Sequence, residues 1–154
     1  RARDALKRGA MWTERGLVEN AIAALGLALA AVPGDEAARR YAALEAAFST
    51  VPRATWIWEH LKGPHHSLRT PRGFELLPAL VSDPALELLF FPGSDQAMCC
   101  AFRGRIDAIV AAIGACPAFE YCIAPLSATW LIGESHHDVV YAVGEPVASR
   151  LAGM

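Results

Sequence analysis

The sequence predicts an α+β domain with two N-terminal helices, then a mainly antiparallel sheet of about five strands, with one inserted helix packed on one face. Three observations carry this. Apolar residues recur at steps of three and four between residues 14 and 49. After residue 55 the pattern changes to short apolar runs separated by Pro- and Gly-containing turns. One later stretch, from Ile106 to Ile113, returns to helical spacing.

In the first half, Val18, Ile22, Leu25, Leu29 and Val32 form one stripe, which predicts a helix over residues 14–32 stopped by Pro33-Gly34. Asp35 is expected to cap a second helix running to about Ser49. Ala37, Tyr41, Leu44 and Phe48 would line its buried face, while Arg39, Arg40 and Glu45 stay in water. No second copy of this helical pair follows, so a helical repeat is rejected. Residues 1–13 are expected to lie outside the fold, disordered or expression-derived. Residues 14–49 form a helical hairpin and 55–147 the sheet-containing core of a single domain spanning 1–154.

Thr55-Trp56-Ile57-Trp58-Glu59-His60-Leu61 is read as an extended or edge segment, a helical conformation in which the tryptophans diverge staying open, with the two tryptophans either in the core or acting as a binding anchor. Lys62 to Ser67 is read as a loop carrying His65 and His66. A helix is expected within residues 71–81, with Pro78 warning of a kink or break. Leu86 to Phe91, apolar except at Glu87, is read as a central strand covered on both faces. Pro92-Gly93-Ser94-Asp95 would turn the chain into a strand from Ala97 to Phe102. Ile106, Ile109, Val110 and Ile113 then mark the inserted helix, and Phe119 to Ala124 a further strand. Val147 to Leu151 reads as a terminal helical turn.

The densest chemistry lies between Trp130 and Gly144. Two β-rich runs, Trp130 to Ile132 and Val139 to Val143, flank Glu134-Ser135-His136-His137-Asp138, with Gly133 and Ser135 as turn-permissive residues. If the pleat continued through the bend, His136 and Asp138 would share one face and His137 the other. Three readings stay open. The group is a hydrogen-bonded turn, it faces a partner or ligand, or it does chemistry. In the last case His136 or His137 would act as acid and base with Glu134 or Asp138. A metal site would need His65 and His66 to meet His136 and His137, and the usual zinc spacings are absent.

Composition bounds the function. Of 154 residues, 54% are apolar and 19% charged, with a net charge of −2, enough apolar surface for one core-bearing domain. Lys and Arg are scattered, which argues against a nucleic-acid surface. The apolar run from Ala21 to Val32 is too short to span a bilayer, and no signal-peptide pattern follows the basic start. Cys99, Cys100, Cys116 and Cys122 contain no Cys-x-x-Cys and read as reduced thiols of a cytoplasmic protein, although a disulfide stays open. No cofactor is expected.

The order of parts also resembles a known pattern. It begins with an amphipathic helical start and the Trp56-Ile57-Trp58-Glu59-His60-Leu61-Lys62 segment. A strand pair around Leu89-Phe90-Phe91-Pro92-Gly93 follows, then Glu120-Tyr121-Cys122-Ile123 and finally Trp130-Leu131-Ile132-Gly133-Glu134-Ser135-His136-His137-Asp138. Over about residues 17–147 the chain is similar to an uncharacterised family of small bacterial proteins. The C-terminal signature of that family reads Trp-Leu-x-x-Glu-(Asn/Ser)-His-His-Asp. The resemblance implies a stand-alone cytosolic protein acting through a protein partner, immunity-type proteins paired with toxins being one such case, and it implies no particular chemistry.

Overall fold

A computed structural model describes residues 13–93 and 100–154. The expected turn at Ser94-Asp95, the start of the strand at Ala97, Cys99, and all but the last of residues 1–13 lie outside the described residues.

Helix α1 spans Glu14–Leu25. The Thr13 side chain accepts a hydrogen bond from the Gly16 amide at 3.1 Å, and Gly26 closes the helix in the left-handed region at φ 63°. The single helix expected over 14–32 is therefore corrected. Left-handed Gly26 stops it early, and β1 (Ala30–Val32) instead joins a sheet edge. Helix α2 spans Gly34–Phe48 and buries Ala37, Tyr41, Leu44 and Phe48, the stripe read from sequence. Pro33, not Asp35, takes the cap position. Asp35 sits in the first turn and pairs with Arg39 at 3.0 Å. Glu45 is not in water. It is buried and accepts a hydrogen bond from the Arg53 amide.

Beyond these lie β2 (His65–Arg69), α3 (Leu77–Val81), β3 (Leu88–Pro92), β4 (Ala101–Gly104), α4 (Ile106–Gly114), β5 (Tyr121–Pro125), β6 (Leu131–Glu134), β7 (Val139–Val143) and α5 (Val147–Ala152). The helix expected within 71–81 divides into a 3-10 turn at Gly73–Leu76 and α3. Pro78 falls in the first turn of α3, where its missing N–H costs no hydrogen bond. The segment holding His65 and His66 is a strand rather than a loop.

The described strands form one antiparallel sheet ordered β1-β4-β3-β5-β6-β7-β2. That is seven strands rather than about five, because the short edge strands β1 and β2 lack strong apolar alternation. Helices also cover both faces, not one. Leu88, Phe90, Phe102, Ile123, Ile132 and Val140 pack with α1, α3, α4 and α5. On the opposite face, Leu89, Phe91, Cys122, Ala124, Leu131 and Tyr141 pack with α2 and Ile57. Period-two alternation sends neighbouring side chains to opposite faces. A strand apolar at every position, such as β3, therefore requires two covered faces, and all five of its residues are buried.

Cys100 and Cys122 are buried, Cys116 is half-buried, and Cys100 and Cys116 are free thiols. Burial pushes the Cys100 and Cys116 thiols up. Among the described residues no helix is long and apolar enough to cross a membrane.

Candidate functional site

The β6–β7 hairpin read from sequence is present, and its bend is narrow. The Ser135 amide donates to the Val139 carbonyl at 2.9 Å, and the Asp138 amide to the Ser135 carbonyl at 3.2 Å. Asp138 adopts φ 57°, a left-handed conformation that aspartate tolerates better than most residues. Ser135 is buried, and its hydroxyl accepts from the His137 amide at 3.3 Å. Gly133, expected at the turn, is instead a buried strand residue of β6.

Because the chain bends here, the pleat does not continue through it. His136 and His137 do not part to opposite faces, and their ring centroids lie 3.9 Å apart. Opposite them is a second tight bend. Trp56-Ile57-Trp58-Glu59 is not extended. Ile57–Glu59 forms a 3-10 turn that buries Ile57 in the α2-side core, and Trp56 and Trp58 flank it with centroids 6.1 Å apart. The two bends meet. Trp56 lies 5.9 Å from His136, Trp58 lies 5.9 Å from His136, and Trp58 lies 5.7 Å from His137 in an edge-on arrangement. These spacings are those of attractive aromatic contacts. Trp56 is nevertheless 38% exposed.

The carboxylates are distributed differently from the sequence expectation. Glu134 does not serve the imidazoles. Its two oxygens accept from the Tyr121 hydroxyl at 2.7 Å and from the Gly73 amide at 3.1 Å, tying the hairpin to the 3-10 turn before α3. Burial and the Glu134 carboxylate hold the Tyr121 hydroxyl far above its ordinary range, so it stays a donor. The Asp138 side chain makes no hydrogen bond or ion pair among the described residues.

The imidazole's partner is Glu120, which directly precedes β5. Its carboxylate accepts from the His136 amide at 3.1 Å and pairs with His136 Nδ1. The Glu120 side chain is 12% exposed against 46% for His136. The register that would have revealed it is the pairing of Tyr121 with Glu134, which sets residue 120 opposite the start of the bend. Beneath Trp58 lies a cavity of about 10 Å³ between Tyr41, Glu120 and Tyr141, room for roughly one water. The Trp58 Nε1 group is buried there without a hydrogen-bond partner among the described residues.

His65 and His66 stay apart from this cluster. They are exposed on edge strand β2, where His65 pairs with Val143, at the end of β7 remote from the bend. Val143 lies four residue steps along β7 from Val139, about 13 Å at the usual rise. The four-histidine arrangement considered from the sequence is therefore not assembled. Among the described residues no group of three or more His, Cys, Asp or Glu side chains could hold a metal ion.

Among the described residues, the fold is thus a seven-stranded antiparallel sheet, covered by helices on both faces, with two indoles and two imidazoles brought together at one end. Comparison with protein-family models, with curated proteins and with solved structures finds no match.

Proposed function

We propose that this is a small bacterial binding protein of the cytoplasm, immunity-type or accessory, that engages another protein through the face formed by Trp56, Trp58, His136 and His137. One observation carries the reading: Trp56 keeps 38% of its surface exposed although its ring contacts Trp58 and His136. An indole fixed in place by neighbours and still open to solvent makes a low-entropy contact of the kind that dominates interfaces. The binding surface is therefore preformed. Glu120 and the hydrogen-bonded turn at Ser135 hold the imidazoles, and Ile57 anchors the tryptophans. A net charge of −2 gives little long-range steering, which points away from an inhibitor that depends on capturing a strongly basic nuclease.

The test is expression with the genomic neighbours, followed by identification of what co-purifies. A discrete protein partner is expected with the natural chain and is lost with the Trp56→Ala, His137→Ala double variant. Recovery of the same partner in equal yield with that variant would remove this face from the function.

A second reading rests on the pairing of His136 Nδ1 with a largely buried carboxylate, an arrangement that orients an imidazole as a general base. Under it His136→Asn abolishes a turnover yet leaves partner capture intact. Under the binding reading, capture itself weakens.

A further inference from the structure

We infer that the free edge of β2 takes an extended, acidic segment of a partner protein as an added strand. This goes beyond the binding reading above and stands on different residues. β2 (His65–Arg69) ends the sheet, and among the described residues no strand lies beyond it. Its register against β7 decides where its backbone groups point. The Gly144 amide donates to the Pro64 carbonyl and the Thr70 amide to the Asp138 carbonyl, each at 2.8 Å. Both bonds continue the register of the two strands, so the even-numbered positions from 64 to 70 face β7. The amides and carbonyls of His65, Ser67 and Arg69 therefore face away from it. All three residues are exposed, and no described residue hydrogen-bonds these backbone groups. The same alternation sets their side chains on one face. An open ladder of this kind is a template for an added strand, with main-chain hydrogen bonds supplying affinity.

Charge selects the occupant. Residues 60–74 hold Lys62, Arg69 and Arg72 but no Asp or Glu, in a chain whose net charge is −2. Arg72 pairs with Glu75 at 2.7 Å. Lys62, just before β2, and Arg69, its last residue, are exposed and form no ion pair among the described residues. Two carboxylates approach the ends of the strand. Glu145, beside Gly144, accepts from the Ser149 hydroxyl at 2.8 Å, and Asp138 lies opposite Thr70 without pairing with Arg69. Cations on an edge disfavour a second copy, because antiparallel self-pairing about Ser67 brings the Lys62 end of each strand towards the Arg69 end of the other. They favour a strand whose alternate side chains, on the face that Arg69 occupies, are carboxylates. The opposite sheet edge, β1, is three residues long, uncharged and followed by Pro33, so it offers neither the length nor the charge.

The probe is an end-capped heptapeptide alternating glutamate with threonine, titrated into the nitrogen-labelled full chain while backbone amide signals are followed by proton–nitrogen correlation. Saturable millimolar shifts are expected at the amides of His65, Ser67 and Arg69, with those of His66 and Leu68, already bonded to β7, moving distinctly less. The same peptide with lysine in place of glutamate should be inert. Arg69→Glu should weaken binding by about fivefold, since it replaces an attraction by a repulsion. Ser67→Pro removes an amide that faces away from β7. It should abolish the response while the hydrogen bonds to β7 and the melting temperature are kept. Should that variant fail to fold, Arg69→Glu and the lysine peptide still decide the matter. A shift without the alternation, an equal response to the lysine peptide, a response centred on residues 30–32, or no response overturns the inference. Each of those outcomes leaves the tryptophan–histidine face untouched, because that reading is decided by partner capture with the Trp56→Ala, His137→Ala variant.

Discussion

Gly133→Ala is expected to lower the melting temperature by about 10 °C, or to prevent folding altogether, although it adds a single methyl group. Gly133 lies within β6, paired with Cys122 on one side and Tyr141 on the other. A Cβ at this position would sit 2.2 Å from the Tyr141 hydroxyl and 2.7 Å from the Tyr121 carbonyl. Neither neighbour yields readily. The carbonyl belongs to a central strand, and Tyr141 is buried, with its hydroxyl held far above the ordinary range by that burial. Overpacking of this kind costs about 3 kcal/mol, which in a chain of this size corresponds to a fall of roughly 10 °C. A thermal melt followed by near-ultraviolet circular dichroism checks it. A melting temperature close to that of the natural chain would mean that Tyr141 does not cover Gly133.

Trp56→Ala is expected to weaken partner binding by at least about 30-fold, the factor that corresponds to a hot-spot loss of roughly 2 kcal/mol, while leaving the fold intact. The separation of these two effects follows from position. Trp56 is exposed beside the 3-10 turn, whereas Ile57 is the residue of that turn buried against α2. Trp58 differs, because it contacts both imidazoles and lines the cavity with Tyr41 and Tyr141. Trp58→Ala should therefore lower both affinity and melting temperature. Calorimetric titration beside thermal melts of the same two variants distinguishes them. Equal destabilisation by Trp56→Ala and Trp58→Ala would show that Trp56 is part of the core.

Elements whose burial pattern matches their own geometry were legible in the sequence. Tyr41, Leu44 and Phe48 mark the buried face of α2, Ile106, Ile109 and Ile113 that of α4, and Val139 to Val143 the second strand of the hairpin. What escaped depends on partners distant in sequence. β1 looks like the end of an alanine-rich helix until Gly26 takes its left-handed conformation and β4 supplies the backbone partners. β2 is too polar to read as a strand, yet β7 completes its hydrogen bonds. The run read from Leu86 to Phe91 signals two covered faces although Glu87 interrupts it, but it does not say which helices cover them, and the sheet as a whole was expected to carry helices on one face only. At the site, nearness in sequence misled. Glu134 is two residues from His136 but serves Tyr121 and Gly73, whereas Glu120 reaches the imidazole through strand register. Bringing the tryptophan bend to the histidine bend likewise required the tertiary fold.

The most direct measurement places a photo-crosslinking amino acid at position 56 and, as a control, at position 25, where Leu25 is 55% exposed at the end of α1. With the co-purified partner present, illumination should join the two proteins from position 56 and not from position 25. Crosslinking from position 25 alone, or equally from both, would contradict the assignment of the tryptophan–histidine face as the surface by which this protein acts.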